Sequence, residues 1–155
     1  MKKRFTKIMA EVERKCDSLM AARPFKCAAA PKCLEGRPGI YLFSERGHPL
    51  YVGRTRNLRN RLASHCHRSH YTATFAFLLA RDKTRLRRAS YQASGSRADL
   101  LKNNAEFAAA FDAARERIAE MDVRVVEEAD PVRQAVLEIY VAVVSGARYN
   151  DFQTH

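Results

Sequence analysis

Tyr41 and Tyr51 lie ten residues apart in two short apolar runs, Gly39-Ile40-Tyr41 and Tyr51-Val52-Gly53. The segment that follows carries Arg61 and His65, spaced i, i+4. Side chains alternate across a strand. An antiparallel hairpin with residues 44–48 as the connection therefore sets Tyr41 opposite Tyr51, Leu42 opposite Leu50 and Ile40 opposite Val52. Both phenols then share one face and the aliphatics share the other. A phenol ionises near ~10, so it acts as a base at neutral pH only where neighbouring cations lower that value. Arg54, Arg56 and Arg61, with a bound metal, would push in that direction. The pattern predicts a reactive surface rather than a core.

The charge distribution says what such a surface would meet. The 155 residues include 28 Lys and Arg against 17 Asp and Glu, a net charge of +11. Residues 54–97 hold eleven of those cations and a single acid, Asp82, so this block accounts for nearly the whole excess. Residues 98–138 are acid-rich. A segregated basic block is better support for a phosphate-binding face than a diffuse surplus.

These residues need elements to position them. Ile8, Val12, Leu19 and Met20 predict an amphipathic helix over residues 6–20. Prolines at 24, 31 and 38 then mark a loop. Strands are expected near 39–43 and 49–53, followed by a helix from about Asn57 that buries Leu58 and Leu62 and carries Arg61 and His65 on an adjoining face. Tyr71–Ala80 is expected to be a buried apolar helix, and residues 81–96 a flexible basic loop or helix end in which Tyr91 is a candidate base-stacking residue. Asp99–Met121 predicts one amphipathic helix, and Val123–Val126 a third strand. After Asp130-Pro131, a cap and first-turn proline, comes a last helix with Val132, Val136, Ile139 and Val143 as its core stripe and Gly146 at its end. Phe75, Phe77, Phe107 and Phe111 fall at helical spacing as core. The fold class is α+β: a small three-stranded, mainly antiparallel sheet flanked by helices. Residues 1–36 are expected to be an N-terminal helix and linker extension. Residues 37–155 are expected to be the main domain, with a basic insertion at about 66–98.

Cys16, Cys27, Cys33 and Cys66 lack the CxxC spacing of a zinc site, so reduced thiols in a cytoplasmic protein are the expectation. No secretory signal is read at the basic start, and no apolar run approaches the ~20 residues that span a bilayer, so no membrane is expected. His67 and His70 beside Cys66 read as loop residues.

The linked motifs resemble the GIY-YIG nuclease family, with Val for Ile in the second motif. The run from Tyr51 to Leu62 (YVGRTRNLRNRL) is especially similar to the nuclease domain of bacterial excision-repair endonucleases. The resemblance spans residues 37–151. Leu137-Glu138 matches the family's glutamate and Arg148-Tyr149-Asn150 its asparagine, with Ala147 where many members have proline. It implies a stand-alone, metal-dependent DNA endonuclease whose catalytic set is Tyr41, Tyr51, Arg61, His65, Glu138 and Asn150. In that set Tyr41 is the general base, Tyr51 and His65 tune or relay its proton, Arg61 stabilises the scissile phosphate and Glu138 holds one Mg²⁺ or Mn²⁺ ion. Singly, each of these residues is ordinary; together, in order and at matching spacings, they are not.

Glu138 also stands alone as an acid near the middle of an apolar helix, with Ala135 and Ala142 leaving room for a hydrated ion. Arg54, Arg56, Arg59, Arg85, Arg87 and Arg88 are expected to hold the backbone of DNA, branched or damaged, without reading sequence. No small-molecule cofactor is expected, and the chain is a monomer or a homodimer. Two competing readings are a catalytically inactive nucleic-acid-binding module on the same fold and a sequence-specific restriction or mobile-element nuclease.

Overall fold

The computed structural model describes residues 2–66, 73–85 and 96–152. His67, His70, Arg87, Arg88 and Tyr91 lie outside the described residues, as does much of the basic insertion. In chain order the elements are α1 (Lys2–Ala21), β1 (Phe25–Lys26), β2 (Gly39–Glu45), β3 (His48–Thr55), α2 (Leu58–Cys66), α3 (Thr74–Thr84), α4 (Arg97–Asn103), α5 (Ala105–Ala119), β4 (Asp122–Glu127) and α6 (Pro131–Ser145). The sheet is antiparallel with strand order β1-β4-β2-β3. It has four strands rather than three, because the two-residue β1 pairs Phe25 with Val123 and Lys26 with Asp122. No strand that short leaves a periodicity to read.

The hairpin forms where expected, but its register differs. Its turn is Arg46–Gly47, with Glu45 paired to His48 and φ values of 51° and 79°. Positive φ at both central positions suits the twist of a tight two-residue hairpin. Such a turn alone would place Tyr41 opposite Val52 and mix the two faces. A bulge between Phe43 and Ser44 corrects this: Ser44 faces Pro49, Phe43 faces Tyr51, and Leu50 is the extra residue. The observed partners are thus Ile40 with Arg54, Tyr41 with Gly53 and Leu42 with Val52, two residues from the expected register and with the same faces kept.

Each face of the sheet has its own core. One holds Tyr41, Phe43, Leu50, Leu58, Leu62 and the aromatics of α3 and α5, including buried Phe75, Phe77, Phe107 and Phe111. The other joins Ile40, Leu42 and Val52 to Val12, Cys16 and Leu19 of α1 and to Leu137 and Val141 of α6. The phenol face is therefore core, not the open surface expected from sequence.

Two helix assignments also change. Residues 97–119 are two helices, because Asn104 adopts extended backbone and its side chain accepts from Phe107 N at 3.0 Å, capping α5. On α6 three of the four expected stripe residues point outward: Val132, Ile139 and Val143 are exposed, while Val136 is partly buried against the second core. The buried face is Gln134, Leu137, Val141 and Ala142. Aliphatics surround this helix, so periodicity cannot choose a side. The choice is made by a polar residue, Gln134, whose amide donates to Thr55 O at 2.9 Å and Glu128 O at 3.1 Å.

Gly39 begins β2 where β4 and α2 close in. A Cβ there would run into the Val126 carbonyl and touch Leu58. Because the obstacle is backbone, Gly39→Ala is expected to cost about 2 kcal/mol or more. A urea denaturation midpoint equal to that of the parent protein would show that the strand yields without cost.

Candidate active site

β2 and β3 present Tyr41 and Tyr51 to α2, and α2 returns Arg61 and His65 to them. The Tyr41 hydroxyl lies 3.0 Å from His65 Nε2 and accepts from Arg61 Nε at 3.2 Å. Its ring leans over Gly53, where any Cβ would overlap the hydroxyl. The last residue of the second motif is therefore dictated by the side chain of the first. The Arg61 charge also acts on Tyr51, so one half-buried guanidinium bears on both phenols. The rings of Tyr41 and Tyr51 are 6.4 Å apart. Tyr51 stacks on Phe75 of α3 at 4.7 Å and 12°. Phe75 thus fixes a site ring, a role that its core-like spacing does not reveal.

Burial outweighs the expected pull of Arg61 on the phenols. Tyr41 is 1% exposed and His65 0%. Desolvation, reinforced by the Tyr51 phenol, raises the Tyr41 pKa well above the ordinary phenol value, and the opposing pull of Arg61 is smaller. Burial likewise raises Tyr51 against Arg61. His65 is pushed down to about 3 by burial and then by the Arg61 charge. The resting site is consequently a neutral phenol hydrogen-bonded to a neutral imidazole. Arg61 Nε–H occupies one lone pair of the phenol oxygen, which leaves the phenol O–H free to donate to His65 Nε2. His65 Nδ1 has no partner among the described residues.

Glu138 comes from α6 on the far side of the chain. Gln134, one turn earlier, is fastened to Thr55 O, which sets α6 against the edge of β3. There the Glu138 carboxylate meets Arg54 Nε at 2.9 Å. Glu138 is half-buried; burial raises its pKa while Arg54 pulls it back down. Its charge acts on both phenols. Neither this ion pair nor the anchoring role of Gln134 was legible in sequence, although a glutamine four residues before the one acid of an apolar helix is a usable signal.

Asn150 takes a different kind of position. Its amide oxygen accepts from Val52 N at 2.8 Å and its amide nitrogen donates to Val52 O at 2.9 Å. Tyr149 N adds a bond to Leu50 O at 2.8 Å. Residues 149–150 thereby close the open edge of β3, and Asn150 holds Tyr51 in register from the neighbouring residue.

The arginines expected on nucleic acid are dispersed. Arg54 and Arg56 are exposed on and just after β3, and Arg54 is committed to Glu138. Arg59 pairs with Glu35 at 3.4 Å. Arg85 is exposed at the left-handed end of α3, with φ 61°. Among the described residues no three His, Cys, Asp or Glu side chains cluster to hold a metal ion, and no helix is long and apolar enough to cross a membrane.

Residues 37–105 match the family model described as the UvrC-like GIY-YIG domain. That span includes Tyr41, Tyr51, Arg61 and His65; Glu138 and Asn150 lie beyond it. UvrABC system protein C of Pseudomonas fluorescens (strain SBW25) is 42% identical over 59 residues, which cover 37% of this chain and 10% of that protein. The protein of the same name from Alkalilimnicola ehrlichii is 42% identical over 57 residues, covering 36% and 9%. The aligned stretch is thus about a tenth of the length of these curated relatives. Among solved structures, the GIY-YIG N-terminal endonuclease domain of UvrC from Thermotoga maritima bound to magnesium covers 91% of this chain and 97% of that one. Its sequence identity is 16% and its TM-score 0.38.

The burial of His65 has a measurable consequence. Its folded pKa of about 3 lies below the unfolded value of ~6.5, so the unfolded chain takes up the extra proton between them. The stability held by neutral His65 is complete above the unfolded pKa and is lost as pH falls toward the folded one. From pH 7 to about 4.5, stability is expected to fall by up to ~1.4 kcal/mol per pH unit from this residue, and His65→Gln should remove that share. Identical pH dependence of the urea midpoint in both proteins would sink the assignment.

Proposed function

We propose that this chain, whose residues 37–105 belong to the UvrC-like GIY-YIG family, is a metal-dependent DNA endonuclease that hydrolyses phosphodiester bonds. The observation that carries the reading is the Tyr41 hydroxyl, held at once by Arg61 Nε at 3.2 Å and His65 Nε2 at 3.0 Å. Phosphodiester hydrolysis needs a proton acceptor for the attacking water and cationic donors for the phosphoryl oxygens. One cluster supplies both.

Tyr41 accepts the proton of the water, and its own proton is directed at His65. Arg61 keeps the phenol oxygen in place through Nε, and its planar, permanently charged guanidinium suits stabilisation of the scissile phosphate. Tyr51 shares that guanidinium and fixes its orientation. Burial disfavours the Tyr41 phenolate in the resting site, so positive charge added beside Glu138 would favour loss of the phenol proton.

A single half-buried carboxylate suits Mg²⁺ or Mn²⁺, ions that keep water in most of their coordination positions; it does not suit zinc, which takes several nitrogen or sulfur ligands. Glu138 would hold one such ion, releasing Arg54 from its pair to join Arg56 on the DNA backbone. When bound, the ion supplies an acidified water and charge stabilisation at the phosphate. Arg59, Arg85, Arg87 and Arg88 extend the backbone contacts. Asn150 supports the site by holding β3.

Supercoiled plasmid incubated with Mg²⁺ or Mn²⁺ tests the reading. Nicking by the parent protein and none with EDTA are expected. Tyr41→Phe and Arg61→Ala should each lose about 10²-fold or more in rate. Glu138→Ala should lose cleavage and keep DNA binding. Full activity in Glu138→Ala would remove the metal ligand, and tight binding without cleavage by the parent protein would favour an inactive binding module. Affinity for DNA should fall steeply between about 50 and 200 mM salt, as phosphate contacts require.

A further inference from the structure

Cys27 and Cys66 are far apart in sequence, and neither has a part in the chemistry above. The fold brings their sulfurs to 3.3 Å. Both are free thiols. The separation is already inside ordinary sulfur–sulfur contact and little more than an ångström beyond a bond of ~2.05 Å. Their environments differ in a useful way. Cys27 is 2% exposed, with its backbone N–H on Met121 O and its S–H within reach of Leu62 O at 3.4 Å. Cys66 is only partly buried and opens on a groove of about 610 Å³ lined, among the described residues, by Phe111, Asp112, Arg115 and Glu116.

We propose that Cys27 and Cys66 are a redox-active pair, in which a hydroperoxide oxidises Cys66 from the groove and Cys27 then closes an intramolecular disulfide. The Cys66 sulfur attacks one peroxide oxygen. The O–O bond breaks, the sulfenic acid forms, and the other oxygen leaves as water or alcohol after taking up a proton. The Cys27 sulfur next attacks the sulfenic sulfur; the S–S bond forms and the hydroxyl leaves as a second water with the Cys27 proton. Two thiols lose two electrons in total, and the peroxide gains them. The hydrogen bond from Cys27 lowers the Cys66 pKa, the direction a peroxide-reactive thiol requires, and the same contact together with burial raises that of Cys27.

The position gives the bond reach. Cys66 follows His65 at the end of α2, so the disulfide would enclose β2, β3 and α2 in one covalent loop. That loop contains Tyr41, Tyr51, Arg61 and His65. The pair stands on its own geometry and does not depend on nuclease activity.

The test uses the full chain with Cys33→Ser, which removes the exposed thiol, treated with hydrogen peroxide after complete reduction. Non-reducing peptide mapping should find Cys27 joined to Cys66, a product two hydrogens lighter that a dithiol reverses. In a Cys27→Ser/Cys33→Ser protein, Cys66 should instead accumulate as sulfenic acid, trapped by dimedone. Cys27 and Cys66 both alkylatable after a peroxide dose that oxidises free cysteine in parallel would overturn the proposal. So would Cys66 passing to sulfinic acid in the presence of Cys27, because no resolving step would then exist. The mapping needs no variant at either member of the pair, so a folding defect cannot mask the answer.

Discussion

The rest of the site depends on one buried hydroxyl. Tyr41 reaches across β3, and the space it needs exists only because position 53 has no side chain. Once there, the hydroxyl is shut off from bulk solvent, and a buried polar group without partners is costly. Arg61 and His65 from successive turns of α2 provide those partners. The two tripeptide motifs and the helix after them are therefore a single structural statement: a tyrosine, the glycine beneath it and the two side chains that meet its oxygen. The same enclosure that holds the geometry opposes ionisation, since it raises the phenol and lowers the imidazole.

Several features far from the hydroxyl serve to keep it in register. The Arg46–Gly47 turn and the Leu50 bulge are a matched pair, and the second undoes the change of face that the first imposes. β3 is a sheet edge, and Asn150 occupies it by imitating a neighbouring strand with its side-chain amide. Gln134 makes the corresponding attachment from α6 and sets where Glu138 arrives. In the Asn150 and Gln134 attachments, backbone groups are satisfied by residues that also set the position of Tyr51 or Glu138.

What the sequence made legible follows physical lines. Strand parity placed both phenols on one face, because alternation survives any register shift of two. The i, i+4 spacing placed Arg61 and His65 together, because they are adjacent on one helix. Properties that depend on the third dimension were not legible. A bulge has no sequence period, so the register was misplaced. α6 is aliphatic on every side, so its buried face was assigned to Val132, Ile139 and Val143 instead of Leu137 and Val141. The pull of Arg61 on the phenols has the expected direction, but the desolvation that outweighs it in the resting site cannot be counted in a sequence. The Arg54–Glu138 pair joins residues on β3 and α6, and only the packing of α6 along the strand edge brings them into contact.

The central claim is that Tyr41 takes the proton of the attacking water. The most direct measurement is the pH dependence of DNA cleavage at saturating Mg²⁺, with 3-fluorotyrosine replacing Tyr41. Fluorine acidifies the phenol and leaves its size nearly unchanged. If Tyr41 is the base, the limb of the profile that rises with pH should move to lower pH by the amount the phenol is acidified. An unmoved limb, with cleavage otherwise intact, would contradict the claim and shift the role to another group.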